Sequence, residues 1–132
     1  MSIDALEGLL PLTDFLVMVL PDSKSTRDIV DANFLKKMNP SSMLINVGRG
    51  SAIVEDDLAD ALNNGIIAAA ALDTTKNEPL EKESKLWDAK NCFISPHDSA
   101  HSLMSLPRSF NLFLENISNL RDSQPIKNLW EA

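Results

Sequence analysis

The chain has 132 residues, 44% hydrophobic and 23% charged, enough for one globular domain with its own core. Twelve Lys and Arg against nineteen Asp and Glu give a net charge of −7, a surface that repels nucleic acid and anionic membrane. The single Cys92 has no internal disulfide partner, no apolar run nears membrane-span length, and residues 1–20 lack a signal-peptide pattern, so a reducing cytoplasm is expected.

Ile3, Leu6, Leu9 and Leu10 repeat at helical spacing, with Ser2 as a cap and Pro11 and Thr13-Asp14 as the stop. Phe15 to Leu20 is a continuous apolar run ahead of Pro21, and reads as a strand buried on both faces. Asp31 to Met38 has an acidic start and a basic end, which suits a helix, and Asn39-Pro40 ends it. Met43 to Val47 is a second buried strand, and it opens abruptly into Gly48-Arg49-Gly50. The two glycines allow a sharp turn and a close approach to a ligand. The guanidinium between them matches a carboxylate bidentately.

Glu55-Asp56-Asp57 open a further helix, with Leu58, Ala61 and Leu62 as its apolar stripe and Gly65 as its C-cap. Ile66 to Leu72 follows as a small-residue strand that ends at Asp73, although Ala68–Ala71 also suit a helix by propensity. A polar loop carries Glu78-Pro79, Leu86-Trp87 pack, and Asn91–Ser95 forms a fourth strand before Pro96-His97. Cys92 in this run is expected to be an inert core thiol. Leu103, Leu106, Phe110, Phe113, Leu114, Ile117 and Leu120 trace a long amphipathic helix that Pro107 should kink. The tail from Gln124 is expected to be irregular. The fold class predicted is α/β: a parallel sheet of about four strands with flanking helices and right-handed crossovers, in a single domain over 1–132. Gly48-Arg49-Gly50, Asp73 with Glu78, and Pro96-His97 then fall on one sheet edge, where open α/β sheets bind ligands.

Four motifs in order, Leu44-Ile45-Asn46-Val47-Gly48-Arg49-Gly50, Ala71-Leu72-Asp73 with Glu78-Pro79-Leu80, Leu86-Trp87, and Ser95-Pro96-His97, carry a family likeness. From about Leu12 to Ala100 the chain resembles the second half of the nucleotide-binding domain of the D-2-hydroxyacid dehydrogenases. That family includes glyoxylate/hydroxypyruvate reductases and phosphoglycerate dehydrogenase. The resemblance implies a partial Rossmann domain and hydride transfer between NAD or NADP and a small 2-keto or 2-hydroxy acid. It implies that Arg49 clamps the substrate carboxylate, that His97 is the general acid and base, and that Glu78 fixes the His97 tautomer. It also implies that Asp73 contacts the nicotinamide carboxamide, and that Pro21, Val47, Gly48, Arg49, His97 and Ser99 line the cofactor.

The chain departs from the family pattern in having no Gly-x-Gly-x-x-Gly; ahead of Gly48 the sequence has only Gly8. The pyrophosphate turn, the residue that selects NAD over NADP, and the substrate domain are missing, so the chain is expected to be a piece of a longer family member and inactive alone. Two other readings stay open: a module that complements or oligomerises with another chain, and a structural remnant without a ligand. The truncation leaves strand 15–20 with an unpaired edge, which predicts a homodimer or association with another chain through it. His97 and His101 have a helical metal spacing but no third ligand, so no metal is expected. No nucleophile-elbow pattern surrounds Ser99, which is read as a helix N-cap rather than a hydrolase residue.

Overall fold

The computed structural model describes residues 6–129, in two compact units, one running to Ser99 and the other starting at Ala100. The N-terminal helix expected from Ile3 lies partly outside the described residues. A 3-10 turn, Leu10–Leu12, precedes the sheet, and its Leu10 is fully buried.

The first unit is one parallel sheet of four strands, β1 (Phe15–Met18), β2 (Met43–Asn46), β3 (Ala69–Leu72) and β4 (Cys92–Ile94). Their spatial order is their chain order, β1-β2-β3-β4. Helices α1 (Ala32–Leu35) and α2 (Glu55–Asn63) form the first two crossovers. Helix α1 covers less than the expected Asp31–Met38: Asp31 is its cap, accepting from the Phe34 amide at 2.8 Å, and the helix ends at Leu35. The acidic start of α2 suits the macrodipole. Gly65 follows that helix in the left-handed region, φ 68°, a conformation glycine adopts without strain. The alanine run is strand, as expected: Ala70 lies between Leu44 and Cys92, fully buried.

Right-handed crossovers between strands placed in chain order put every connection on the same face of the sheet. That face holds the core. Leu44, Ala70, Leu72 and Met18 point into it and meet Leu35, Leu58 and Ile53. The other face is open, which corrects the expectation that residues 15–20 are buried on both sides. Phe15, Val17 and Val19 are 66%, 54% and 70% exposed, and Phe93 at the far edge is 66% exposed. The register lines up Val17, Ile45, Ala71 and Phe93 as one apolar row across that face. The run is continuous in hydrophobicity and alternates in burial. Cys92 is half-buried, and burial pushes its thiol up to about 11, consistent with an unreactive thiol.

The second unit holds α3 (Ser105–Arg121). Pro107 is its third residue, within the first turn where no intrahelical amide is required, so it neither kinks nor interrupts the helix as expected. Leu106, Phe110, Phe113 and Leu120 on α3 are all exposed. The segment after it is tied back: the Lys127 amide donates to Asn116 Oδ1 at 2.9 Å, and Lys127 pairs with Glu115. Among the described residues no helix is long and apolar enough to cross a membrane.

The two glycines around Arg49 let its loop pack tightly against its neighbours. A Cβ on Gly48 would lie 2.7 Å from the backbone of Leu20, and one on Gly50 would lie 2.0 Å from the Thr75 carbonyl carbon. Gly50→Ala should therefore lower the unfolding free energy by about 1–3 kcal/mol, the range for overpacking a close-packed site, as read from urea midpoints.

Candidate functional site

Because the strands are parallel, their C-terminal ends share one edge. Three of the sequence-predicted residues meet there. Arg49, Glu78 and His97 line one open cavity of about 340 Å³, together with Asp22, Ser51 and Lys76.

Arg49 is presented by a loop that a buried amide shapes. Asn46, the last residue of β2, is fully buried. Its Oδ1 accepts from the Gly48 amide at 3.0 Å, and its Nδ2 donates to the Arg49 carbonyl at 3.0 Å. The Arg49 Nη1 donates to the Gly48 carbonyl at 2.8 Å, which folds the guanidinium back over its own loop. Sequence reasoning assigned Asn46 no role, yet a polar residue ending an apolar run was the available signal: buried, it must find partners.

His97 Nδ1 lies 2.8 Å from Glu78 Oε2. Glu78 Oε1 accepts from the Thr75 amide at 3.2 Å, so its two oxygens are divided between loop and ring. The His97 hydrogen bond holds the Glu78 carboxyl below the usual range, and the Thr75 amide and Arg49 charge act in the same direction. With a carboxylate on Nδ1, that nitrogen carries the proton, and Nε2 is left for chemistry. His97 itself has φ 56°, the left-handed region, a conformation that costs a non-glycine residue about 1–2 kcal/mol and persists where neighbouring contacts over-determine it.

Asp73 supplies such contacts. Its side chain is nearly buried, and Oδ1 accepts from Ser95 Oγ at 2.6 Å and the Asp98 amide at 2.8 Å. Oδ2 accepts from the Ser99 amide at 3.0 Å. The Ser95 hydroxyl, ahead of the Ser99 hydroxyl, holds this carboxyl far below the usual carboxylate range. Ser99 is thus a donor to Asp73, and the expected helix N-cap role is corrected: α3 begins at Ser105.

A second cavity of about 420 Å³ shares Glu78 and His97 with the first and is lined also by Asp73, Trp87, Leu80 and Ile94, among others. Leu86 packs in the core, while Trp87 is 55% exposed and donates from Nε1 to the Glu81 carbonyl at 2.8 Å. Of the other residues assigned to the cofactor, Pro21, Val47 and Ser99 are exposed and Gly48 is buried, and none of the four lines either cavity. Asp22 was not anticipated. It accepts from Ser51 Oγ at 2.9 Å and pairs with Arg27, whose hydrogen bond leads the causes that lower its carboxyl. No group of three His, Cys, Asp or Glu side chains among the described residues can hold a metal ion.

Comparison with known proteins agrees with this architecture. Residues 1–99 match the family model of the D-isomer specific 2-hydroxyacid dehydrogenase, NAD binding domain. A hydroxypyruvate reductase of Blautia hydrogenotrophica is 36% identical over 121 residues, 92% of this chain and 38% of that protein. Glyoxylate/hydroxypyruvate reductase B of Pectobacterium atrosepticum is 44% identical over 92 residues, 70% of this chain and 29% of that one. Among solved structures, an NADPH-dependent glyoxylate/hydroxypyruvate reductase of Sinorhizobium meliloti, in complex with NADP and sulfate, superposes with a TM-score of 0.88. It is 31% identical and covers 99% of this chain and 42% of its own. A D-isomer specific 2-hydroxyacid dehydrogenase of Xanthobacter autotrophicus in complex with NADPH and MES gives 0.89 at 31% identity, over 98% of this chain and 53% of its own. The chain belongs to the D-isomer-specific 2-hydroxyacid dehydrogenase family, whose homologues here are oxidoreductases. It spans about a third of the length of these curated relatives.

The depressed Asp73 carboxyl links stability to pH. Its folded value lies below the unfolded one of about 3.9, so the stabilisation is complete above that pH and is lost as pH falls toward the folded value. Urea midpoints measured from pH 6 down to pH 3 should fall, and Asp73→Asn should flatten that acid limb while lowering the plateau.

Proposed function

We propose that this chain is the part of a 2-hydroxyacid dehydrogenase that grips the substrate carboxylate and moves the proton. The observation that carries this reading is the His97 Nδ1–Glu78 contact of 2.8 Å in the cavity that also holds Arg49. Arg49 binds the carboxylate of a 2-keto acid through parallel N–H donors. His97, protonated and oriented by Glu78, gives the Nε2 proton to the keto oxygen, and takes it back in the oxidative direction. The nicotinamide of NAD or NADP, when bound, supplies or accepts the hydride. The names of the relatives support glyoxylate or hydroxypyruvate as the class of substrate.

The residues present fit the nicotinamide end of such a cofactor better than its pyrophosphate. Asp73, Val47 and Gly48 stand at strand ends on the ligand-binding edge, whereas no Gly-x-Gly-x-x-Gly occurs among the four glycines. Positioning both reactants is the source of most of the rate, so this half of a site is slow by itself. Pure protein should reduce neither glyoxylate nor hydroxypyruvate appreciably with NADH or NADPH. Turnover that disappears in Arg49→Ala or His97→Ala would overturn that expectation. The lone, half-buried thiol of Cys92 suits a reducing cytoplasm.

The open sheet face favours a second, compatible reading, in which the chain associates with a copy of itself or with another chain. Strand β1 is an edge strand whose outer row of backbone groups faces no neighbour in the sheet. Burying a Phe or Val fully is worth about 1.5–3 kcal/mol, so covering Phe15, Val17, Val19 and Phe93 offsets a large part of the cost of association. Light scattering at micromolar concentration should give a dimer, and Val17→Lys should return it to monomer. A monomer in the wild type would leave the complementing or remnant role.

A further inference from the structure

We infer that Asp73 is a positioning residue for His97: its carboxylate takes the Ser95 hydroxyl before the histidine and two backbone amides after it, and so holds the imidazole against Glu78. The inference rests on the reading of His97 as the proton donor. Little of this loop is buried. Pro96, His97, Asp98 and Ser99 all reach solvent, and the His97 side chain is 43% exposed. An exposed side chain on an exposed loop samples its rotamers freely on a fast timescale unless it is tied. The ties lead to one buried group. Asp73 is rooted in the sheet through its amide, which donates to the Asn46 carbonyl at 2.9 Å. Its Oδ1 takes the Ser95 hydroxyl, two residues before His97, and the Asp98 amide, one residue after it. Its Oδ2 takes the Ser99 amide. Between those ties the chain passes through the left-handed conformation at His97, and the ring reaches Glu78 at 2.8 Å. Both carboxylate oxygens are thus engaged by the loop.

The test is a titration of the Glu78 carboxyl carbon by NMR on the full chain. The His97 bond holds that carboxyl low, so His97→Gln raises its midpoint and sets the scale. Asp73→Asn should raise the Glu78 midpoint by at least half as much, with the amide signals of Leu44, Leu58 and Ala70 unmoved. The sign discriminates. Removing a negative charge by itself lowers the midpoint of a nearby acid, whereas release of the histidine raises it. Combining Asp73→Asn with His97→Gln should give no rise beyond that of His97→Gln alone. A folded Asp73→Asn protein whose Glu78 titrates where the wild type does would overturn the inference. Should Asp73→Asn fail to fold, Ser95→Ala removes the shortest tie and leaves the carboxylate; a smaller rise supports the inference and an unchanged midpoint ends it. The titration reads the loop, and 2-keto acid binding lost in Arg49→Ala reads the function, so each can fail alone.

Discussion

Four parallel strands laid side by side in chain order constrain everything else in this molecule. Parallel pairing sends every strand end to the same edge, so the residues after β2, β3 and β4 are neighbours despite lying far apart in the chain. The register makes the convergence tight. Asn46 stands opposite Leu72, and Leu72 opposite Ile94, so the next residues of the three strands leave the sheet at one level. Gly48 and Gly50 then let the Arg49 loop press against the Leu20 and Thr75 backbones, where a Cβ has no room. Arg49, Glu78 and His97 share a cavity because the ladders beneath them are in step.

The same topology makes the sheet one-sided. A doubly wound domain covers both faces because its strand order reverses and its helices divide between them. Strands in chain order place every crossover on one face and leave the other exposed. The open face is apolar, with Phe15, Val17, Val19 and Phe93 around a floor of Ile45 and Ala71.

Work in the site is divided by burial. Arg49, Glu78 and His97 reach solvent. Asn46 and Asp73 are buried and reach only the backbone and hydroxyl groups of the loops they shape. A buried polar group without partners is costly, so these two favour loop conformations that satisfy them. Thr75 and Ser95 complete the arrangement by donating to Glu78 and to Asp73.

The order of elements, the strand character of the alanine run, the cap at Gly65, and the placing of Arg49, Glu78 and His97 on one sheet edge were legible in the chain itself. Each rests on local periodicity, on a propensity exception, or on residues that keep their chemistry wherever the fold takes them. The faces of the strands were not legible. Phe15 to Leu20 reads as fully buried because hydrophobicity is continuous along it, and only the strand order decides that one side has no helix above it. Ser99 and Pro107 were misread for a related reason: Asp73, distant in sequence, takes the Ser99 amide, and the start of α3 at Ser105 makes Pro107 harmless. Asn46 and Asp73 gained positioning roles only in three dimensions, because a hydrogen bond depends on which loops the sheet brings within about 3 Å of each other, and composition and spacing along the chain do not encode that distance.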